Sequence, residues 1–231
     1  MEKALSKLDN LWYHHKWLII ISLFFIVVLI IGIVQMAGGE KTDIRIVYCG
    51  SAVLSGEQRD AIESAFEQVM SRDFDGDGKK RVRLNAFTIL SDKQLEEKKR
   101  EATEDGDVLY YDPNSKNDTL MQLNSLLGTG ETIICLFEDH IYENLRDEDA
   151  FAKLENIVGY LPENAADEYS VRIGDTDLGQ YFTAFENILP ETRLCIRNMA
   201  VYAVVGNKKT AETEYGYHKE MFCDALNFTT P

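Results

Sequence analysis

An uncharged apolar run, residues 17–36, constrains this chain more than any other feature: Trp17-Leu-Ile-Ile-Ile-Ser-Leu-Phe-Phe-Ile-Val-Val-Leu-Ile-Ile-Gly-Ile-Val-Gln-Met36. A helix of roughly 20 residues, rising 1.5 Å per residue, covers the about 30 Å of hydrocarbon in a bilayer. It also satisfies its own backbone polar groups where no water is present. Trp12, Tyr13 and Trp17 stand at its entry, where amphipathic rings favour the headgroup level. A buried core helix is the first alternative, but such a helix shows a polar residue on some face. A cleaved export signal is the second. Its apolar segment is about 7–15 residues and ends in a small-x-small site, of which Ala37-Gly38-Gly39 is a poor version. The expectation is an uncleaved transmembrane anchor. Lys3, Lys7 and Lys16 precede it and Lys41 and Arg45 follow, so the positive-inside bias puts residues 1–16 in the cytoplasm and the remainder outside the cell membrane.

After a linker at 37–42, residues 43–231 amount to one domain. Residues 1–40 hold three lysines and three acids, so the formal charge of −15 belongs wholly to this outer part. A surface so acidic excludes nucleic acid as a principal partner, because phosphate recognition needs a basic face. Cys49, Cys135, Cys195 and Cys223 lie far apart with no Cys-x-x-Cys, which excludes a zinc knuckle or a thioredoxin-type motif. An outer location permits a disulfide, yet Cys135 sits in an apolar run and reads as a small buried hydrophobe.

Along the outer domain, strand and helix patterns alternate. Residues 43–48 alternate as a strand, and Ser55-Gly-Glu-Gln58 is a capping box opening an amphipathic helix over 56–71. A second strand covers 82–88, and a second capping box, Ser91-Asp-Lys-Gln94, opens a charge-laced helix. Residues 107–111 predict a short strand stopped by Pro113. Asp118 is the expected cap of a helix carrying Leu120, Leu123 and Leu127 and closed by Gly128. Thr132-Ile-Ile-Cys-Leu-Phe137 is continuously apolar, the mark of a strand buried on both faces. A short helix follows Glu138. Residues 147–192 read as an irregular excursion with small elements. Strands are expected at 193–197 and 202–205, then a last helix capped by Thr210 and interrupted by Gly216. The fold class is α/β, with a mostly parallel, helix-covered sheet.

This order of parts resembles the extracellular solute-binding proteins, the periplasmic-binding-protein-like fold, and is similar to membrane-anchored proteins of Gram-positive bacteria. The resemblance rests on the Trp12–Trp17 entry to the anchor, the strand-loop-helix from Ile44 to Met70, and the Asp-Gly-Asp-Gly turn. The strand end at Asp112, the Thr132–Tyr142 passage and the Tyr202–Val205 strand with its helix complete it. It implies a small-molecule solute and a transporter partner. A solute-binding protein has two lobes and roughly 300 residues; here only 147–192 is left to form a second lobe, so the domain is a reduced form.

Two local patterns carry candidate chemistry. Asp73-Phe-Asp75-Gly-Asp77-Gly78 places carboxylates at alternate positions before a glycine, as in the first half of a calcium loop, with the Lys79 carbonyl as a fourth oxygen. The twelfth position is Leu84 where a bidentate Glu belongs, and a polar turn explains the same residues. Calcium is therefore the one candidate cofactor. The second pattern is the Cys49–Gly56 loop. In doubly wound sheets ligands sit beyond the carboxyl ends of strands, where Gly50, Ser51 and Ser55 present N–H and hydroxyl groups and Asp112 ends a further strand. Ser55 as a plain cap and Gly50 as a turn residue are the competing reading. No Gly-x-Ser-x-Gly, phosphate-loop or His-Glu-x-x-His signature is present. The expected function is a non-catalytic, membrane-tethered binding domain. The alternatives are an interaction subunit of a membrane complex without a small-molecule ligand and, more weakly, a cell-surface hydrolase.

Overall fold

A computed structural model describes residues 16–18, 20–32, 42–104, 113–130, 132–146, 150–198 and 208–230. The chain divides into two compact units, Met1–Lys41 and Thr42–Pro231. In the first, residues 20–32 form a helix, α1. Its apolar side chains are exposed, Phe24 by 62% and Leu29 by 61%. No helix among the described residues is long and apolar enough to cross a membrane. Residues 19 and 33–36 of the expected span lie outside the described residues.

The second unit is built on one sheet. Its strands are β1 (Ile44–Gly50), β2 (Val82–Thr88), β3 (Ile134–Phe137), β4 (Ser170–Arg172) and β5 (Arg193–Ile196), in the order β2-β1-β3-β5-β4. β1 pairs parallel with β2 and with β3, while β5 runs antiparallel to both β3 and β4. Four of the five strands therefore point one way, and the sheet is mostly parallel. Helices α2 (Gly56–Val69), α3 (Asp92–Glu104), α4 (Pro113–Thr129), α5 (Asp139–Arg146), α6 (Leu154–Val158), α7 (Asp177–Tyr181) and α8 (Lys208–Leu226) surround it.

Alternation along the strands divides the core into two layers. Ile44, Ile46 and Tyr48 of β1 point to the face covered by Ile62 and Phe66 of α2 and by Met221 and Phe222 of α8. Val47 and Cys49 point to the opposite face, under Leu123 and Leu127 of α4 and Ile141 and Tyr142 of α5. The connection from β1 to β2 thus crosses one face and that from β2 to β3 the other. From β1 the chain moves to β2 on one side, and from β3 it moves to β4 and β5 on the other, which places a topological switch point at the carboxyl ends of β1 and β3.

Several expectations are corrected. The fourth helix begins at Pro113, so Asp118 lies inside it and is not its cap. Proline suits a first helical position, because its fixed φ is helical and its missing N–H would have no partner there. The helix passes Gly128 and ends at Thr129, with Gly130 in the left-handed region at φ 73°. α8 begins at Lys208, before Thr210, and runs unbroken through Gly216: packing of one face on the sheet outweighs the about 1 kcal/mol that glycine costs. The expected strands at 107–111 and 202–205 lie outside the described residues.

The excursion of 147–192 does not make a second lobe among the described residues. β4 adds to the sheet edge, and Leu154, Val171, Leu178 and Phe185 join the same core as β1. Arg193 fastens it. Its guanidinium donates to Asp139 Oδ1 at 2.6 Å and to Asp167 Oδ2 at 3.1 Å, and lies 4.9 Å over the Tyr142 ring. Tyr142 OH donates in turn to Asp167 Oδ2 at 2.8 Å.

Candidate functional site at the carboxyl edge of the sheet

The switch point gathers side chains from each loop that leaves it. Glu138, the first residue after β3, is buried. Its Oε1 accepts the Ser51 N–H at 2.6 Å, the Ser51 hydroxyl at 2.7 Å and the Tyr48 hydroxyl at 3.4 Å. Its Oε2 accepts Gln94 Nε2–H at 2.9 Å and lies 3.8 Å from His140 Nδ1. The β1 exit, the β2 exit and the β3 exit are all tied to one carboxylate. Burial, with Glu138 close by, pushes the Tyr48 hydroxyl well above the usual phenol range, so it stays protonated and donates. Gly50 is required here: a Cβ on it would lie 2.5 Å from both Glu138 Oε1 and Tyr48 Oη.

Of the residues expected to hold a ligand, Gly50 and Ser51 are in this cradle, but the Ser51 N–H and hydroxyl already serve Glu138. The anion that a strand-edge loop suits is supplied by the protein itself. Ser55 is a cap: its Oγ accepts Gln58 N–H at 3.2 Å and its own N–H goes to Gln58 Oε1 at 2.8 Å, the complete capping box. Asp112 lies outside the described residues. Tyr48, Gln94, Glu138 and His140 were not among the expected site residues. A signal was present for two of them. Gln94 closes the second capping box, and its amide has a second end to offer. Glu138 is a charge placed directly after a doubly buried strand.

Beside the cradle a cleft of about 420 Å³ is lined by Ser91, Asp92, Lys116, His140, Glu143 and Asn144, among others. Lys116 Nζ lies 2.9 Å from Asp92 Oδ1 and holds the Asp92 carboxyl below its ordinary range. His140 Nε2 contacts the Ile89 carbonyl at 3.1 Å.

The aspartate loop is at the opposite end of the strands, beside the start of β1. The expected set of Asp73, Asp75, Asp77 and Lys79 is not assembled as expected. One oxygen each from Asp43, Asp73 and Asp75 lies within 4.8 Å of the others. Asp77 instead pairs with Arg81, which lowers its pKa, and accepts the Lys79 N–H at 2.9 Å. Attraction to a guanidinium four residues on redirects the third carboxylate of the pattern. The other carboxylates hold the loop together. Asp73 accepts Gly76 N–H at 2.8 Å and Gly78 N–H at 2.6 Å, and the latter bond above all keeps its pKa low. Asp43 accepts Phe74 N–H, Asp75 N–H and Arg81 N–H, each at 2.9 Å. Gly76 and Gly78 have φ of 77° and 86°, a conformation that favours glycine.

The four cysteines are free thiols. Cys135 and Cys195 are register partners on β3 and β5 and are fully buried. Burial pushes the Cys49 thiol up to about 12, and that of Cys195 also rises, so neither is a nucleophile at neutral pH. Comparison with family models, curated proteins and solved structures finds no match for this chain.

Proposed function

We propose that the chain is a membrane-tethered, extracytoplasmic α/β domain that acts without catalysis, by holding a protein partner in a membrane complex. The observation that carries this reading is the filling of the switch-point cradle by Glu138. The donors that would seize a free anion are spent on an internal carboxylate, which fixes three loops into one rigid rim. The absence of a second lobe among the described residues adds support, because solute capture by closure needs two bodies. The tether is supported by the uncharged run at 17–36 and by the exposed apolar side chains of α1. Purification of the full-length chain from mildly solubilised membranes tests the proposal. A membrane protein recovered in stoichiometric amount is expected, and a lone monomer under all mild detergents overturns it.

The second reading is a reduced solute-binding domain. The cleft beside His140, with Lys116 and Asn144 in its wall, favours it. Thermal melts of the solubilised chain against a metabolite library separate the two readings: saturable stabilisation by a metabolite, lost in Lys116→Ala, supports solute capture.

A further inference from the structure

Clefts among the described residues differ in the charge of their walls. The cleft at the start of β1 sets Asp43, Asp75 and Glu214 against Arg45, and that at the switch point sets Asp92 and Glu143 against Lys116. A further cleft, between the Phe151–Lys153 segment, α6 and α8, carries Lys153 and Lys219 and no acidic residue in its lining. In a chain with 39 acids and 24 basic residues, a wall bearing two lysines and no acid runs against the composition. Its volume of about 470 Å³ suits a small organic molecule.

The walls add a second kind of recognition. Tyr169 and Tyr215 line the cleft together with Phe151 and Ile157, which are buried. Tyr215 is oriented by its hydroxyl, which donates to the Arg197 carbonyl at 3.0 Å. Lys219 Nζ donates to the Asn156 carbonyl at 3.2 Å, and among the described residues no carboxylate lies within ion-pair distance of it. Lys153 Nζ lies 2.6 Å from Glu168 and 5.8 Å from the Tyr169 ring centroid. That ion pair is exposed, and such pairs contribute little, so an incoming anion readily replaces it.

We propose that this cleft binds a small anionic ligand built on a flat ring, a carboxylate or phosphate ester of an aromatic or heteroaromatic group. The anion is taken by Lys153 and Lys219 and the ring lies against Tyr169 and Tyr215. This inference goes beyond the partner-holding reading, and its failure leaves that reading intact, because the two are read out by different measurements.

The test is calorimetric titration of the full-length chain in detergent with phenyl phosphate, inorganic phosphate and phenol. Phenyl phosphate is expected to bind saturably, at least about tenfold tighter than inorganic phosphate, with no saturable binding of phenol. Lys153→Gln/Lys219→Gln is expected to weaken phenyl phosphate by about tenfold or more while leaving the unliganded melting temperature nearly unchanged, since both side chains are at the surface. Tyr215→Leu is expected to bring phenyl phosphate down to the level of inorganic phosphate. Absence of phenyl phosphate binding at millimolar concentration overturns the proposal, as does equal binding to the double-lysine variant. Inorganic phosphate binding as tightly as phenyl phosphate overturns the ring contact.

Discussion

Glu138 shows how one side chain organises a sheet edge. A buried carboxylate that receives several donors is strongly coupled to them, and removing it leaves each donor without a partner. Glu138→Ala is expected to lower the unfolding free energy by about 3 kcal/mol in denaturant titration, because the Ser51 and Gln94 donors lose their acceptor together. Gly50→Ala attacks the same point from the backbone. Its methyl would meet Glu138 Oε1 and Tyr48 Oη at 2.5 Å, and a loss of about 1–3 kcal/mol is expected. His218 offers a test by pH. Its Nδ1–H donates to the Glu214 carbonyl and its Nε2 accepts the Arg45 N–H, so it is neutral. Burial lowers its pKa from 6.5 to about 4. A base whose folded pKa is depressed stabilises the fold fully above about pH 6.5. That contribution, on the order of 3 kcal/mol, falls away as the pH drops towards about 4. Unfolding free energy measured across this window is expected to decline in the native chain and to decline less in His218→Gln.

At the scale of elements, the outer strand β2 is shielded by its own crossover helix. Its ladder with β1 is complete, from Ile44↔Val82 to Gly50↔Thr88, so its other side is an open edge. There Val82 N–H donates to Glu67 Oε1 at 3.0 Å and Leu84 N–H to Glu63 Oε1 at 2.7 Å. The two glutamates, one helical turn apart on α2, occupy donors that would otherwise template a foreign strand. Glu63→Ala/Glu67→Ala is expected to speed amide exchange at Val82 and Leu84 and to raise self-association in sedimentation, with a stability loss of about 1 kcal/mol per bond. Unchanged exchange at both amides would remove the guarding role. The aspartate loop is likewise held by backbone bonds. Asp43→Asn is expected to lower the melting temperature equally with calcium and with chelator, because the Phe74, Asp75 and Arg81 N–H groups are what its carboxylate holds. A calcium-dependent gain confined to the native chain would assign the Asp43, Asp73 and Asp75 cluster to a metal instead.

At the scale of the whole molecule, the two units predict separable behaviour. Thr42–Pro231 has its own two-layered core and the whole excess of acidic charge. Deletion of residues 1–41 is expected to move the protein from the membrane fraction to the soluble fraction while preserving cooperative unfolding. Retention in the membrane fraction would count against the tether.

Local pattern was sufficient where the physics is local. The capping box at Ser55–Gln58, the alternation of β1 and β2 and the continuous apolar run that became β3 all follow from nearest-neighbour hydrogen bonds and from periodic burial, and the α/β class follows from their order. The start of α4 at Pro113 was not read from local pattern, which put the cap at Asp118, because a proline that stops a strand and one that opens a helix look alike in sequence. The candidate site was legible only in half. Gly50 and Ser51 were found from their place after a strand, whereas Glu138 is 87 residues further along from Ser51 and reaches it only because β1 and β3 are neighbours. The same holds for Asp43 beside Asp73, for Glu63 and Glu67 on the β2 edge, and for Lys153 near Lys219. The uncharged run at 17–36, its flanking charges and the neutral first 40 residues are properties of sequence alone, because bilayer thickness and side-chain transfer do not depend on what folds elsewhere. Which carboxylates meet which donors was decided by tertiary structure, since a hydrogen bond acts over about 3 Å and only strand order brings such distant residues that close.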